Sequence, residues 1–182
     1  MADSGITLFD TPIGLCGIAW GPRGIVALRL PEVTPDAMRA RLLRACPEAD
    51  ECEPTETVRA AIAAIVALLE GEPRDLTGIT LDMERVPDFH RRVYRVAQAI
   101  PPGATLTYGD VARRLGDPGG AQAVGRALGR NPFAIIVPCH RVVAAGGKIG
   151  GFSANGGAAT KQRILAIEGA DKDAPMLPGL LS

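Results

Sequence analysis

The 182-residue sequence lacks the features that mark membrane and secreted proteins. No apolar run reaches the roughly 18 residues that a membrane-spanning helix needs. Residues 1–10 lack the basic start and apolar core of a secretory signal peptide. A soluble protein with a cytoplasmic location is therefore predicted.

Cysteine and histidine are also scarce. The two histidines are His90 and His140, and the four cysteines are Cys16, Cys46, Cys52 and Cys139. The cysteines show neither CxxC spacing nor a disulfide framework, so they are predicted to be reduced thiols. A zinc site at Cys46 and Cys52 would have to recruit distant ligands, and no metal site is expected.

The net charge of zero conceals two halves of opposite sign. Residues 1–84 carry seven Arg against fourteen Asp and Glu, whereas residues 85–168 carry twelve Lys and Arg against four Asp and Glu. This asymmetry predicts that the second half meets a polyanion. The alternative is a pair of solvated faces.

The first part of the chain predicts an α+β domain over residues 1–84. Strands are expected at 13–20 and 25–30, joined by a turn at 21–24 into a hairpin. A helix opened by Thr34 is expected to run to Ala45, and a second, capped by Thr57, to span 58–70. Residues 71–87 show no strong helical period, so the boundary is placed near residue 85.

The second part, 85–182, predicts a helix-turn-helix arrangement. Asp88 is expected to cap a helix that runs to Ile100, and a glycine-rich turn separates further helices at 108–115 and 121–129. Strands are expected at 133–137 and 141–145, before a last helix at 158–168.

The helix at 121–129 is built largely of alanine and glycine. Its thin backbone is suited to close approach to a nucleic-acid groove, with Arg126 and Arg130 reaching phosphates. Tight internal packing is the alternative explanation.

The sequence Pro-Cys-His-Arg at 138–141 follows an apolar run and suggests a nucleophile. A catalytic thiol needs a base or a positive charge nearby to favour the thiolate, and His140 and Arg141 are candidates. Adjacent residues of a strand point to opposite faces, so His140 need not touch the Cys139 sulfur and could act on it through a water.

With its surroundings, this motif resembles the active-site signature of the O6-alkylguanine-DNA alkyltransferases, also called methylated-DNA-protein-cysteine methyltransferases. The similarity is strong over about residues 80–170 and weaker over the N-terminal hairpin. It is carried by Phe89, Val93, Tyr94, Ile100, Pro101, Gly103, 107–109, Val111, Ala112, 123–125, Ala127, Asn131, Pro132 and 138–142.

The resemblance implies a ribonuclease-H-like α/β domain at the N-terminus, followed by a winged-helix-like, helix-turn-helix domain. It also implies DNA repair by irreversible transfer of an alkyl group from O6-alkylguanine to the protein's own cysteine. The target nucleotide is flipped out while a helix occupies the minor groove. O4-alkylthymine is left open as a second substrate, and a monomer without a cofactor, acting on double-stranded DNA, is expected.

The resemblance also implies a role for individual residues. Cys139 is expected to be the nucleophile and His140 its base, with Glu168 orienting His140, Asn131 bracing the turn, and Tyr108 contacting the flipped base or its phosphate. The expected DNA contacts are Gln122, Ala123, Gly125, Arg126, Arg130 and Arg141. The expected substrate pocket includes Val142, Phe152 and Ser153, where the backbones of Cys139 and Val142 accept from the guanine amine and Ser153 donates to O6.

Two departures from the family pattern limit these expectations. Gln122 stands where the family usually has the arginine that fills the gap left by the flipped base, which puts efficient flipping in doubt. The loop 150–157 is longer than usual and has Phe152 where tyrosine is common, so the limit on alkyl size is in doubt.

Three other functions compete with this interpretation. A non-catalytic protein that recognises alkylated DNA would lack the cysteine, which is present here as Cys139. A sequence-specific regulator would carry long polar side chains on its recognition helix. A cysteine hydrolase would regenerate its thiol, so turnover would distinguish it.

Overall fold

A computed structural model describes residues 3–149 and 157–170 of the chain. The chain divides into two compact units. The first consists of Met1–Arg85 with Pro132–Ile136, and the second of Val86–Asn131 with Val137–Ser182. Within the described ranges, no helix is both long and apolar enough to cross a membrane.

The first unit contains a four-stranded sheet. Its strands are β1 (Gly5–Thr11), β2 (Gly14–Gly21), β3 (Gly24–Arg29) and β4 (Asp50–Glu51), in the order β3-β2-β1-β4. β2 pairs antiparallel with both β1 and β3, whereas β4 pairs parallel with β1. The expected hairpin is therefore confirmed as β2 and β3, and β1 and β4 are additional strands. Gly24 has a φ of 126°, and a Cβ there would lie 2.5 Å from the Thr80 carbonyl oxygen, so the turn requires glycine.

Two helices pack with this sheet. In α1 (Pro35–Ala45), Thr34 accepts a hydrogen bond from the Ala37 amide, as expected for an N-cap. α2 (Glu56–Leu69) begins earlier than predicted, because Thr55 rather than Thr57 accepts from the Val58 amide. One core cluster joins α1 to the sheet and contains Ile6, Ala19, Ala27, Met38, Leu42 and Ala49.

The second unit is mainly helical. Its elements are α3 (Asp88–Gln98), β5 (Leu106–Thr107), α4 (Tyr108–Arg114), α5 (Ala121–Gly129), a 3-10 helix (Cys139–Arg141), β6 (Val142–Val143), a 3-10 turn (Ala145–Gly147) and α6 (Gly157–Ile167). The helices expected at 108–115 and 121–129 are present as α4 and α5. Asp88 is the first residue of α3 rather than its cap, since Pro87 occupies the cap position. The parallel pairing of β5 with β6 holds the start of α4 beside the end of the 3-10 helix.

The strand predicted at 133–137 is wrong. Only an isolated bridge links Phe133 to Leu28, supported by the Leu28 amide donating to the Pro132 carbonyl at 2.9 Å. Ile135 then adopts a φ of 70°, a left-handed conformation that a β-branched residue rarely takes and that ends an extended run. The strand predicted at 141–145 is likewise reduced to Val142–Val143.

A close cross-strand contact explains why β1 begins with glycine. Gly5 pairs with Trp20, and a Cβ on Gly5 would lie 2.3 Å from the indole ring. Trp20 is 2% exposed and is the single tryptophan of the chain, so its ring cannot move away without opening the sheet.

We expect Gly5→Ala to lower the free energy of unfolding by about 1–3 kcal/mol, because the new methyl group overpacks the indole. The measurement is urea denaturation followed by Trp20 fluorescence. Gly78→Ala is the matched control, since a Cβ at Gly78 meets nothing within 4 Å. Equal midpoints for the two variants would contradict this account of Gly5.

Candidate active site

Cys139 opens the 3-10 helix and is held by hydrogen bonds on its N-terminal side. Its amide donates to the Val137 carbonyl at 2.8 Å, and Asn131 Nδ2 donates to the same carbonyl at 2.9 Å. The Arg141 amide closes the turn on the Pro138 carbonyl. Asn131 therefore makes a bracing contact of the kind that the sequence led us to expect.

Cys139 is 9% exposed, and burial raises the pKa of its thiol because a thiolate is poorly solvated there. The side chain of Asn131, the positive charge of Lys161 and the backbone amides of Cys139 and His140 act in the opposite direction. The His140 imidazole and the Arg141 guanidinium, the candidates from the sequence, are not among these groups. Burial therefore favours the protonated thiol, and a nucleophilic role for Cys139 would require a base to remove its proton.

His140 and Glu168 form a buried pair beside this thiol. His140 Nε2 lies 2.8 Å from Glu168 Oε1, and both side chains are 1% exposed. Burial opposes ionisation of Glu168, but hydrogen bonds from His140 and Arg141 and the electrostatic influence of these two neighbours lower its pKa to about 2. Burial also lowers the pKa of His140.

The ionisation of Glu168 fixes the tautomer of His140. A carboxylate can only accept, so the imidazole donates from Nε2 and carries its lone pair on Nδ1. Nδ1 is buried and has no hydrogen-bond partner among the described residues. The lone pair of a neutral, oriented imidazole is thus available to take up a proton.

Arg141 was expected to contact DNA, but the structure places it in this buried network instead. It is 5% exposed, and its Nε and one terminal nitrogen donate to the two oxygens of Glu168 at 3.0 and 2.8 Å. Its other terminal nitrogen donates to the Ile100 carbonyl at 2.7 Å. A guanidinium held in this way is not exposed for a phosphate contact, which corrects the expectation.

Lys161 is a site residue that sequence reasoning missed. It is fully buried on α6, and its Nζ donates to the Val142 carbonyl at 2.6 Å and lies 3.5 Å from the Tyr108 hydroxyl. The signal was its spacing from Ile164 and Leu165, which places a lysine on the apolar face of the helix. Val142, whose carbonyl was expected to bind guanine, accepts here from Lys161.

Tyr108 is fixed by the start of α4. Thr107 and Asp110 form a capping box, in which the Thr107 hydroxyl accepts from the Asp110 amide and Asp110 accepts from the Thr107 amide. The next residue, Tyr108, lies with its ring 5.7 Å from Lys161 Nζ. The structure thus brings Tyr108 to the same group of residues as Cys139.

The helix α5 presents a thin face whose glycines are not required by internal packing. A Cβ at Gly125 would make only ordinary contact, 3.9 Å from the Tyr108 ring, and one at Gly129 would meet nothing within 4 Å. Tyr94 anchors the opposite face by donating to the Ala127 carbonyl at 2.8 Å. Of the residues expected at DNA, Gln122, Arg126 and Arg130 are exposed, and Ala123 and Gly125 are half-buried.

Two expected pocket residues, Phe152 and Ser153, lie outside the described residues. Within 3–149 and 157–170, no group of three or more His, Cys, Asp and Glu side chains could hold a metal ion.

The low pKa of Glu168 predicts how stability depends on pH. The pKa of the Glu168 carboxyl group is usually 4.5 and is about 2 in the folded protein. Its ionised form therefore contributes fully to stability above pH 4.5. This contribution falls by about 2 kcal/mol by pH 3 and is lost as the pH passes below 2. The Glu168→Gln variant lacks this contribution. Denaturation followed by circular dichroism should therefore show that the difference in free energy of unfolding between wild type and variant becomes smaller from pH 6 to pH 3. Parallel stability curves would rule out this assignment.

Comparison with known proteins gives the same family as the motif. Residues 88–170 match the model of the 6-O-methylguanine DNA methyltransferase DNA-binding domain. A methylated-DNA--protein-cysteine methyltransferase of Mycolicibacterium paratuberculosis is 39% identical over 87% of this chain and 88% of that protein. One from Methanothermobacter thermautotrophicus is 33% identical over 84% of this chain and 78% of its own length.

Solved structures agree with these relatives. The O6-methylguanine methyltransferase of Mycobacterium tuberculosis superposes with a TM-score of 0.75 at 34% identity, covering 98% of this chain and 99% of that one. A structure of the OGT of the same organism in complex with DNA gives 0.72 at 34% identity, covering 91% and 92%. The mixed α/β architecture and the arrangement around Cys139 are thus found in a chain that belongs to the methylated-DNA--protein-cysteine methyltransferase family.

Proposed function

We propose that this protein repairs DNA by direct reversal, transferring an alkyl group irreversibly from O6 of guanine to the sulfur of its own Cys139. The observation that carries the proposal is the buried Cys139 thiol next to a neutral His140 that Glu168 orients. This is the arrangement that an activated nucleophile needs. The names of the relatives support transfer over non-catalytic recognition of the lesion.

The reaction is a proton transfer followed by a displacement. His140 takes the thiol proton on Nδ1 through a water, while Glu168 stabilises the imidazolium that forms. The thiolate then attacks the alkyl carbon, so that a sulfur–carbon bond forms as the carbon–O6 bond breaks. The electron pair of that bond goes to O6, and the guanine takes up the proton that His140 received, so that it remains in the DNA as the restored, neutral base. The thioether is stable, so each molecule acts once and needs no cofactor.

The second half of the chain would present this site to double-stranded DNA. Residues 85–182 act as the winged-helix-like, DNA-binding and alkyl-transfer domain, and residues 1–84 as the ribonuclease-H-like domain. The thin face of α5 enters the minor groove with Ala123 and Gly125 against the backbone, and its polar residues are Gln122, Arg126 and Arg130. The flipped nucleotide reaches Tyr108 and the residues expected to form the pocket, Val142, Phe152 and Ser153.

The chemistry also favours a cytoplasmic location and a monomeric protein. An acceptor thiol must stay reduced, which suits the cytoplasm, and the four cysteines of the chain are all free. The nucleophile, base and orienting carboxylate come from one chain, so a monomer is sufficient for transfer.

Intact-protein mass spectrometry tests the proposal. After incubation with excess duplex DNA containing O6-methylguanine, we expect a single gain of about 14 Da, one methylene, on Cys139 and on no other cysteine. Cys139→Ser removes the nucleophile and should gain no mass. Cys52→Ser is the control, since it leaves Cys139 in place and should be methylated like the wild type.

The outcomes separate the competing functions. Unmodified wild-type protein that still binds the lesion would favour damage recognition without chemistry. Repeated turnover with an unmodified thiol would favour a hydrolase. The same assay with O4-methylthymine tests the second substrate.

Gln122 is expected to limit DNA binding. Gln122→Arg adds a positive charge on the exposed side of α5, so lesion-containing duplex should bind more tightly, and the plot of log affinity against log salt should steepen by about 0.9. Gln122→Lys tests charge without the guanidinium fork, and Arg126→Gln should show the opposite change in slope. An unchanged slope in Gln122→Arg would remove this residue from the DNA interface.

A further inference from the structure

The carboxylate of Glu168 has two cationic or proton-donating partners at once. Oε1 receives His140 Nε2 and a terminal nitrogen of Arg141, each at 2.8 Å, while Oε2 receives Arg141 Nε at 3.0 Å. The whole group is buried, with Glu168 and His140 side chains 1% exposed and Arg141 7% exposed. Both carboxylate oxygens of Glu168 are therefore hydrogen-bonded to side chains of the protein, in a position shielded from bulk water.

A buried carboxylate needs a compensating positive charge. If His140 were the only partner of Glu168, the imidazole would supply that charge by becoming an imidazolium. An imidazolium has protons on both nitrogens and cannot accept another from a thiol. The presence of a permanent cation on the same carboxylate changes this balance, because arginine remains charged at all relevant pH values.

We propose that Arg141 is a positioning residue for alkyl transfer: it balances the charge of Glu168, so that His140 is oriented by the carboxylate and yet remains a neutral base. The inference rests on the proposed function and deepens it. It gives Arg141 a role inside the protein in place of the DNA contact suggested by the motif.

The geometry favours arginine specifically. The guanidinium uses its flat fork to engage both oxygens of Glu168 and still donates to the Ile100 carbonyl at 2.7 Å. These three bonds tie the carboxylate to the end of α3 and fix the direction from which it faces His140. A lysine would supply the charge but not this fork.

The charged and titratable groups around His140 come from each element packed with the 3-10 helix. Glu168 favours the imidazolium, and Arg141 and Lys161 disfavour it. Within the 3-10 helix, the thiol of Cys139 is the group to be deprotonated, and the buried phenol of Tyr94 on α3 is electrostatically linked to that thiol. When the charge of Arg141 is removed, the negative charge of Glu168 is less opposed and favours protonation of His140 more strongly.

The first test is an NMR titration of the two histidines of the folded chain, His90 and His140. In Arg141→Gln, which retains hydrogen-bond donors but not the charge, we expect the pKa of His140 to rise by about one pH unit or more. His90 belongs to α3, where it lies beside the rings of Phe89 and Tyr94, so its titration serves as the internal reference. In the double variant Arg141→Gln/Glu168→Gln the carboxylate is removed as well, so the rise in the pKa of His140 should disappear.

The second test is the single-turnover rate of methyl transfer from O6-methylguanine duplex between pH 5 and pH 9. The acid limb of this profile should move to higher pH in Arg141→Gln by the same amount as the His140 titration. Arg141→Lys keeps the charge, so its acid limb should stay near that of the wild type while its rate falls by on the order of tenfold through loss of orientation.

The results distinguish the inference from the proposed function. An unchanged His140 pKa in Arg141→Gln overturns the inference, and a weaker, less salt-dependent affinity for undamaged duplex with that pKa unchanged would restore the DNA-contact role. If Arg141→Gln does not fold, a raised His140 pKa in Arg141→Lys overturns the inference equally. Wild-type protein that transfers no methyl group refutes the proposed function, while the histidine titration still tests the charge balance.

Discussion

The second unit depends on one buried carboxylate. Glu168 follows the last residue of α6 and receives hydrogen bonds from His140 and Arg141 of the 3-10 helix, while Arg141 also reaches the Ile100 carbonyl beyond α3. The end of α6 and the 3-10 helix therefore meet at Glu168, and Arg141 links them to the residue Ile100, just beyond α3. Because an unpaired charge in this position would be strongly unfavourable, the orientation of His140 and the packing of the unit are specified together.

Much of the fold could be predicted from the sequence where local chemistry decided it. Thr34 with a following proline, and the glycine-rich turn before Ala121, located α1 and α5 closely. The failures came where distant contacts decided the outcome. Residues 133–137 are apolar and resemble a strand, but their hydrogen bonds go to Leu28, and Ile135 takes a left-handed conformation that no local pattern indicates. β4 is only two residues long and exists because β1 pairs with it.

The site was predicted in part for the same reason. The motif identified Cys139 and His140 as neighbours, and the resemblance supplied Glu168, but the direction of each side chain depends on a 3-10 helix that was expected to be a strand. Arg141 was expected at the DNA together with Arg126 and Arg130. Its burial follows from Glu168, 27 residues away, which sequence spacing cannot reveal. Lys161 was missed although its helical position indicated burial.

The five-residue segment Pro132–Ile136 prevents a simple division of the chain into an N-terminal and a C-terminal half. This segment belongs to the first unit, although the chain on either side of it belongs to the second. The two residues that flank it are hydrogen-bonded to each other, since Asn131 donates to the Val137 carbonyl. Phe133, Ile135 and Ile136 are buried. A truncation that kept only residues 86–182 would remove the rest of the first unit from around these apolar side chains, which lie shortly before Cys139 in the chain. The chain that leads to Cys139 thus passes through residues that belong to the first unit.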